Sequence, residues 1–581
     1  MSATYTSVPA LRRFRVGPLW LVLPAALLLA VFFIFPMGRL FLLSVQDPAT
    51  GALTAEQYIH LTEASVYWRI LGITFRIALL TALFSVMLGY PLALWLSRMS
   101  GRRQAIMALL VLLPFWTSYL VKTFAWMILL GNRGVLNSIF MELGVVERPL
   151  RLMYNELGVI IGMVHAMMPL AVLTMLPVMS GIDRRLTLAA GSMGASRSQR
   201  FWLIYFPLSV PGAAAAGLLT FITSLGFFIV PAFLGGRKET MLAQTIITQV
   251  QQLVNWPFAA VLASFMVMAA LISIAIYNRF FGLSTISGGT SAGNVTTGNA
   301  LLRKLGQRIL RFMAWVSAPF DRFGSRFGDE PGGMPIYPII AVFFLIAPTL
   351  VIFPLAFTSA ESLQFPPPGY SLRWFEQYLS SPIWISATLR SFGVALATAF
   401  CATILGGLAA LALARSHSRW NGPIFALMLA PMVVPRIVIA VGLFYLMAQM
   451  GLVATNTGLV IGHTLLAIPY CFITMGAVLK NYDWRLNQAA ETLGAGRITI
   501  LRRITLPLLK GGVISAALFA FVTSFDELTI AIFISGGMNT TLPKQMWDDM
   551  FLQLNPTLAA VSVVVLLIVT LILLTAQKFQ K

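Results

Sequence analysis

Asp526 and Glu527 stand side by side inside GGVISAALFAFVTSFDELTIAIFISGG, residues 511–537, where every other side chain is apolar, small or hydroxylic. A charge at the centre of a membrane span costs about 2.5–3.5 kcal/mol on the insertion scale, so a carboxylate there does not face lipid. It can meet a cation on a path through the membrane, or pair with a basic residue of a neighbouring span. Adjacent helical residues point about 100° apart. One of the two is therefore expected to reach a central path and the other to pair sideways. Lys122, in another apolar run, is the partner that charge suggests. Trp116, Tyr119 and Trp126 in that run offer aromatic faces to a cation, or else pack the span. Arg436, after Pro435, either greets a carboxylate or phosphonate or snorkels to the interface. Asp526, Glu527, Trp116, Tyr119, Trp126 and Arg436 are thus the candidate substrate-path residues.

The elements that hold them must be membrane spans. Of 581 residues, 58% are hydrophobic and only 10% charged, against about a quarter charged in soluble chains. The net charge of +21 does not indicate a nucleic-acid partner. Lys and Arg cluster in short loops between apolar runs, as the positive-inside rule requires, and membrane lipid is the expected surrounding. Cys401 and Cys471 lie in apolar runs and imply no disulfide framework. At the N-terminus, Arg12, Arg13 and Arg15 precede an apolar run too long for a signal-peptide core, which reads as a retained span.

An all-α integral membrane fold of twelve spans is expected. The first six lie near 18–43, 69–97, 106–130, 156–180, 208–234 and 257–282; the second six lie near 335–358, 386–414, 423–450, 457–479, 511–535 and 555–577. Basic connections follow every second span, with Arg98, Arg102 and Arg103, then Arg184, Arg185 and Arg197, then Arg415 and Arg419, then Arg497, Arg502 and Arg503. Both termini are expected on the cytoplasmic side. The chain divides into a first unit, 1–282, a cytoplasmic linker, 283–334, and a second unit, 335–581. The linker begins Gly/Ser/Thr-rich and continues as LLRKLGQRILRFMAWV, with Leu301, Leu305, Ile309, Phe312 and Val316 on one helical face and Lys304, Arg308 and Arg311 on another. Such a helix is expected to rest on the cytoplasmic leaflet, or to be solvated.

The two units repeat each other. GVIIGMVHAMMPLAVLTM, 158–175, aligns with GLVIGHTLLAIPYCFITM, 458–475, and LLP, 112–114, faces LAP, 429–431. Six spans separate equivalent points, so the repeats are parallel. Each unit also carries a polar loop between its fourth and fifth spans, AAGSMGAS at 189–196 and AAETLGAG at 489–496. Ala189, Ala190 and Gly194 recur as Ala489, Ala490 and Gly494, and the loops end at Pro207 and Pro507. Ala190 and Gly194, one turn apart on a helix, would leave a stripe free of side chains. A small-residue helix contact explains one such loop. Two equivalent copies on the cytoplasmic side suit two identical partners.

Ala-Ala-x-x-x-Gly followed by Ile-x-Leu-Pro resembles the coupling loop of permeases of bacterial ATP-binding-cassette importers. AAETLGAGRITILRRITLPLLKGG is the closer copy; AAGSMGASRSQRFWLIYFPLSVPG keeps Ala-Ala, Gly and Pro but loses the Leu. Leu188 and Gln488 stand where that family has a leading Glu. The resemblance implies that each loop is a short helix seated on one of two cytoplasmic ATPase subunits. It further implies a periplasmic solute-binding protein, a bacterial inner-membrane location, and ATP and Mg bound by the ATPase, with no cofactor or metal in this chain. Residues 106–282 and 423–577 look like the two permease subunits of spermidine/putrescine importers, which implies a polyamine or other amine-bearing solute. Fused permeases also resemble ferric-iron importers, and Arg436 keeps opines and aminophosphonates open. The chain has no Gly-x-x-x-x-Gly-Lys-Ser/Thr loop, GGRKET at 235–240 being wrongly spaced, and no catalytic constellation, so it reads as a transporter and not an enzyme. His60, His165, His417 and His463 are scattered; His165 and His463, in spans, read as interhelical hydrogen-bond partners and not ligands. The rival is a secondary transporter of the major-facilitator kind, whose repeated loop signal would follow spans two and eight, not four and ten.

Overall fold

A computed structural model describes residues 18–47, 50–281, 300–321, 336–537 and 539–580. Arg12, Arg13, Arg15 and the Gly/Ser/Thr-rich stretch lie outside the described residues, as do the side chains of Leu301, Lys304 and Leu305. Among the described residues the fold is helical, and the extended pairings are isolated bridges. Among the described residues ten helical stretches are long and apolar enough to cross a membrane, Tyr119–Glu142 counting as one stretch, and eleven if the bent pair Asn421–Val433 and Arg436–Gln449 is one span. The principal helices are α1 (Pro18–Ser44), α2 (Ser65–Arg98), α3 (Gly101–Trp116), α4 (Tyr119–Leu130), α5 (Glu156–Ser180), α6 (Arg184–Ser192), α7 (Arg197–Leu225), α8 (Ile229–Leu234) and α9 (Trp256–Phe281). After the amphipathic α10 (Ala300–Ser317) come α11 (Ile336–Ala356), α12 (Pro382–Arg415), α13 (Asn421–Val433), α14 (Arg436–Gln449) and α15 (Asn456–Lys480). The chain ends with α16 (Arg485–Thr492), α17 (Ile498–Phe525), α18 (Thr529–Ile534) and α19 (Thr557–Gln580), the last with a short apolar part, Thr557–Ile572.

Four expected spans are not the single helices that hydropathy suggests. The run 106–130 is broken between α3 and α4, and 423–450 bends by 97° between α13 and α14. Pro114 and Pro431 lie in the last turns of α3 and α13, and Pro435 caps α14. A proline withholds an N–H and its ring crowds the carbonyl one turn back, so each helix ends there. The runs 208–234 and 511–535 stop at Leu225 and Phe525, and resume as the short α8 and α18.

Pro207 and Pro507 do not end loops. They sit inside α7 and α17, just after π-helical turns at Arg200–Tyr205 and Leu501–Thr505. Pro36 in α1 follows a third, Ala30–Ile34. The wider turn lets the residue before each proline reach back five positions, as in Phe206 N–H to the Phe201 carbonyl and Leu506 N–H to that of Leu501.

The repeat is legible in the backbone. α5 and α15 have 25 residues each, and α2 and α12 have 34. In each unit these two long helices pack on each other and on α7 or α17. The first helix of each unit leaves its own group. α1 packs on α12 and α14, and α11 packs on α2, α3 and α4. The close approach of α7 to α5 and of α17 to α15 is made at glycines: a Cβ on Gly212 would lie 2.9 Å from Val178, and one on Gly512 2.8 Å from Val478. Gly512→Ala should therefore overpack this crossing and lower stability by about 1–3 kcal/mol, with Val478→Ala in the same chain restoring much of it. Thermal unfolding of the detergent-purified protein measures both. Equal melting of the single variant and the parent would show that the contact is not tight.

Candidate functional site

The four helix interruptions meet inside the bundle, paired across the two units. Asp526, at the end of α17, lies beside the Ser118 hydroxyl and the Tyr119 backbone N–H at the start of α4. Its counterpart Gly226, at the end of α7, lies against Pro435 and Arg436 at the start of α14, where an added Cβ would stand 3.0 Å from Pro435. The break in each unit's fifth-span helix thus faces the break in the other unit's third.

Charge gathers here. Lys122 is buried, donates to the Pro114 carbonyl at 3.0 Å and lies 4.2 Å from the centre of the Tyr119 ring. It and Arg436 are the cations within electrostatic reach of Asp526. Glu527 is buried and accepts from the backbone N–H groups of Thr529 and Ile530 at 3.1 and 2.8 Å, so it caps α18. Arg436 is within electrostatic reach of Glu527, and His463 stands 3.8 Å from it. Arg436 also donates to the Tyr470 hydroxyl at 3.4 Å. Two cations and two carboxylates leave the cluster neutral, which is the condition for burying it in a membrane.

The expectation that Asp526 and Glu527 lie mid-helix is corrected. They occupy the gap between α17 and α18, because the carboxylates take over N–H groups that a continuous helix would satisfy itself. Their environments differ. Asp526 is half-buried and borders a small cavity with Trp116, Ser118 and Phe525, whereas Glu527 is buried against its own backbone. Tyr119 and Arg436 are half-buried beside them, and Tyr119 meets Phe227 edge-on at 5.1 Å. Trp126 is placed elsewhere, packed on His165 at 5.5 Å and Phe344 at 5.6 Å. His165 bonds the Leu345 carbonyl at 3.0 Å and His463 the Ser524 hydroxyl at 2.8 Å, so both make the interhelical contacts expected of them. Ser118, Tyr470 and His463 complete the cluster but were not singled out as path residues. The signal for Ser118 was the paired Pro114 and Pro431, which mark both breaks.

The repeated loops are the second candidate site. α6 and α16 are short helices in which Ala190 and Ala490 are buried while Ala189 and Ala489 are exposed. Gly194 and Gly494 do not belong to a helical stripe. They have φ of +86° and +82° and stop the helices in the left-handed region, with the next N–H, of Ala195 or Ala495, returning to the carbonyl of Ala190 or Ala490 at 3.0 Å. Their role is to turn the chain. What the turn presents is apolar: Met193 is 81% and Leu493 87% exposed at the two tips.

The profile of the binding-protein-dependent transport system inner membrane components matches residues 85–282 and 402–580, so it spans both loops and most of both units. The chain belongs to this family of importer permeases. The secondary-transporter alternative is thereby set aside. The spermidine/putrescine permease PotB of Haemophilus influenzae is 30% identical over 267 residues, covering 45% of this chain and 90% of that protein. PotC of the same organism is 31% identical over 209 residues, 36% of this chain and 81% of that one. A solved bacterial alginate ABC transporter aligns at 18% identity with a TM-score of 0.41, over 48% of this chain and 95% of its own.

In this permease the cap made by Glu527 can be separated from its charge. Glu527→Leu and Glu527→Gln both remove the carboxylate from Arg436, but Gln keeps an acceptor for the α18 N–H groups. The Leu variant should be less stable than the Gln variant by about 1–3 kcal/mol, read from thermal unfolding in detergent. Identical melting would mean that α18 needs no cap.

Proposed function

We propose that this chain is the complete membrane passage of a bacterial inner-membrane importer: twelve crossings in two parallel six-span units, both termini cytoplasmic, with no catalytic residue or cofactor of its own. Two copies of a cytoplasmic ATP-binding-cassette ATPase, which bind ATP and Mg, dock on α6 and α16. A periplasmic solute-binding protein delivers the solute, a polyamine or another small amine-bearing compound. Asp526 carries the solute reading, a half-buried carboxylate bordering a cavity lined by Trp116 at the end of α3, Ser118, Phe525 at the end of α17, Met546 and, on α19, Val565. Broken helices that aim their ends at a midplane site are a recurring way to hold a charged solute. The spermidine/putrescine permeases among its relatives support the same class.

In this reading Asp526 contacts the passing ammonium group. Glu527 and Lys122 hold the helix ends, and Trp126 supports from behind. Arg436 favours a second reading, in which the amine-bearing solute also carries an acid, as opines and aminophosphonates do. Ferric iron is a further alternative within the same importer class.

Asp526→Asn tests the solute contact in reconstituted vesicles supplied with binding protein and ATPase. Uptake of an amine-bearing solute should fall about tenfold or more, roughly 1.4 kcal/mol in the transport barrier, while basal ATP hydrolysis stays at the parental rate. Parental uptake would remove Asp526 from the path. Coupling is tested apart from the solute. Met193→Asp with Leu493→Asp should abolish co-purification of the ATPase and uptake at unchanged membrane levels. Retained co-purification would sink the assignment of α6 and α16. Uptake should also stop on ATP depletion and survive collapse of the proton gradient at constant ATP; the reverse would overturn the ATP-driven reading.

A further inference from the structure

The first coupling loop is bound to a helix that has no counterpart on the second among the described residues. α10 packs along Arg197–Tyr205, at the cytoplasmic start of α7. Trp202 donates from its indole nitrogen to the Ser317 hydroxyl at 3.0 Å. Asp321, just beyond α10, accepts the Ser198 hydroxyl at 2.6 Å and the Ser198 N–H at 3.0 Å, and Ser198 is buried. Around them Tyr90, Phe201, Trp202, Tyr205 and Phe206 form an aromatic cluster with neighbouring ring centres 5.0–6.4 Å apart. At the equivalent places the second unit has Leu501, Arg502, Thr505 and Leu506, none of them aromatic. The aromatic residues that set the first loop apart from the family pattern are the seat of α10.

One side of α10 is left uncovered. Met313 and Ala314 face the protein, while Ile309, Phe312 and Val316 are 51, 55 and 45% exposed. At about 100° per residue these three fall within an arc of about 60°. Arg308, Arg311 and the 73%-exposed Trp315 lie on the remaining side. An apolar stripe flanked by arginines and a tryptophan, seated on an aromatic cluster at the cytoplasmic end of a span, matches the chemistry of an anionic leaflet surface.

We propose that α10 lies in the cytoplasmic leaflet, with Ile309, Phe312 and Val316 among the acyl chains and anionic phospholipid headgroups at Arg308 and Arg311. Through Trp202 and Asp321 it ties the first coupling loop to the membrane surface, a tie the second loop does not show among the described residues. The inference rests on the membrane placement of the chain and not on the solute.

The test uses the full chain in nanodiscs of phosphatidylglycerol and phosphatidylcholine, with a spin label at Ile309→Cys, Arg311→Cys or Phe312→Cys in a Cys401→Ser background, Cys471 being buried. Dissolved oxygen should relax the labels at 309 and 312 more than a water-soluble nickel chelate does, and the order should reverse at 311. Replacing phosphatidylglycerol by phosphatidylcholine, or Arg308→Gln with Arg311→Gln, should cost 312 its protection from nickel. Nickel access at 309 and 312 in the anionic discs would overturn the proposal, as would protection that appears only when the ATPase is added, which would make the face a protein interface. Protection indifferent to phosphatidylglycerol and to both arginines would overturn the headgroup site. None of these readouts depends on transport, so failure here is distinct from failure of the importer reading.

Discussion

In hydrocarbon there is no water to satisfy a free N–H or carbonyl, so a helix can be interrupted within the membrane only where protein groups replace the lost bonds. The four interruptions here obey that constraint by meeting each other. Glu527 takes the N–H groups of Thr529 and Ile530 at the start of α18, and Asp526 lies beside the N–H of Tyr119 at the start of α4. Lys122 donates to the carbonyl of Pro114, at the end of α3. The charged residues therefore hold the fold open at its centre. At the end of α3 and the start of α18 these charged groups replace helix hydrogen bonds, whereas the α7 end meets the α14 start without one.

The same site shows how a repeat becomes one-sided. α7 and α17 end alike, but the first supplies Gly226 and the second Asp526. A glycine lets Pro435 and Arg436 approach closely, whereas a carboxylate binds the opposing helix end instead. Two equivalent backbone junctions thus acquire different chemistry, one a bare contact and the other a charged lining. The repeated loops diverge by the same route. Matching left-handed turns at Gly194 and Gly494 follow α6 and α16, yet among the described residues it is the first turn that has an aromatic cluster and a docked helix behind it. Exchange of the first helices between units, α1 onto the second and α11 onto the first, binds the two together, so asymmetry arises within one body.

How much of this was legible varies by residue. The long helices and the repeat followed from hydropathy and spacing, because lipid imposes length and composition directly on the chain. The breaks did not, although Pro114, Pro431 and Pro435 were visible, since a proline inside a span can either kink a helix or end it. Gly194 was misread as part of a stripe: its letter fits both a helix interior and a left-handed stop, and only φ separates them. Trp126 shared a run with Trp116 and Tyr119 but packs on His165 and Phe344, a distinction set by neighbours from other helices.

The sequence alone determined that this is a helical membrane protein built twice over, that its basic loops alternate with its spans, and that carboxylates occur where lipid would reject them. Each is a matter of local composition or of one segment against another. The tertiary structure decided which carboxylate faces a cavity, which cations stand near it, and which repeated loop carries α10. Those outcomes depend on helix ends brought together from residues hundreds of positions apart, and no spacing along the chain encodes that meeting.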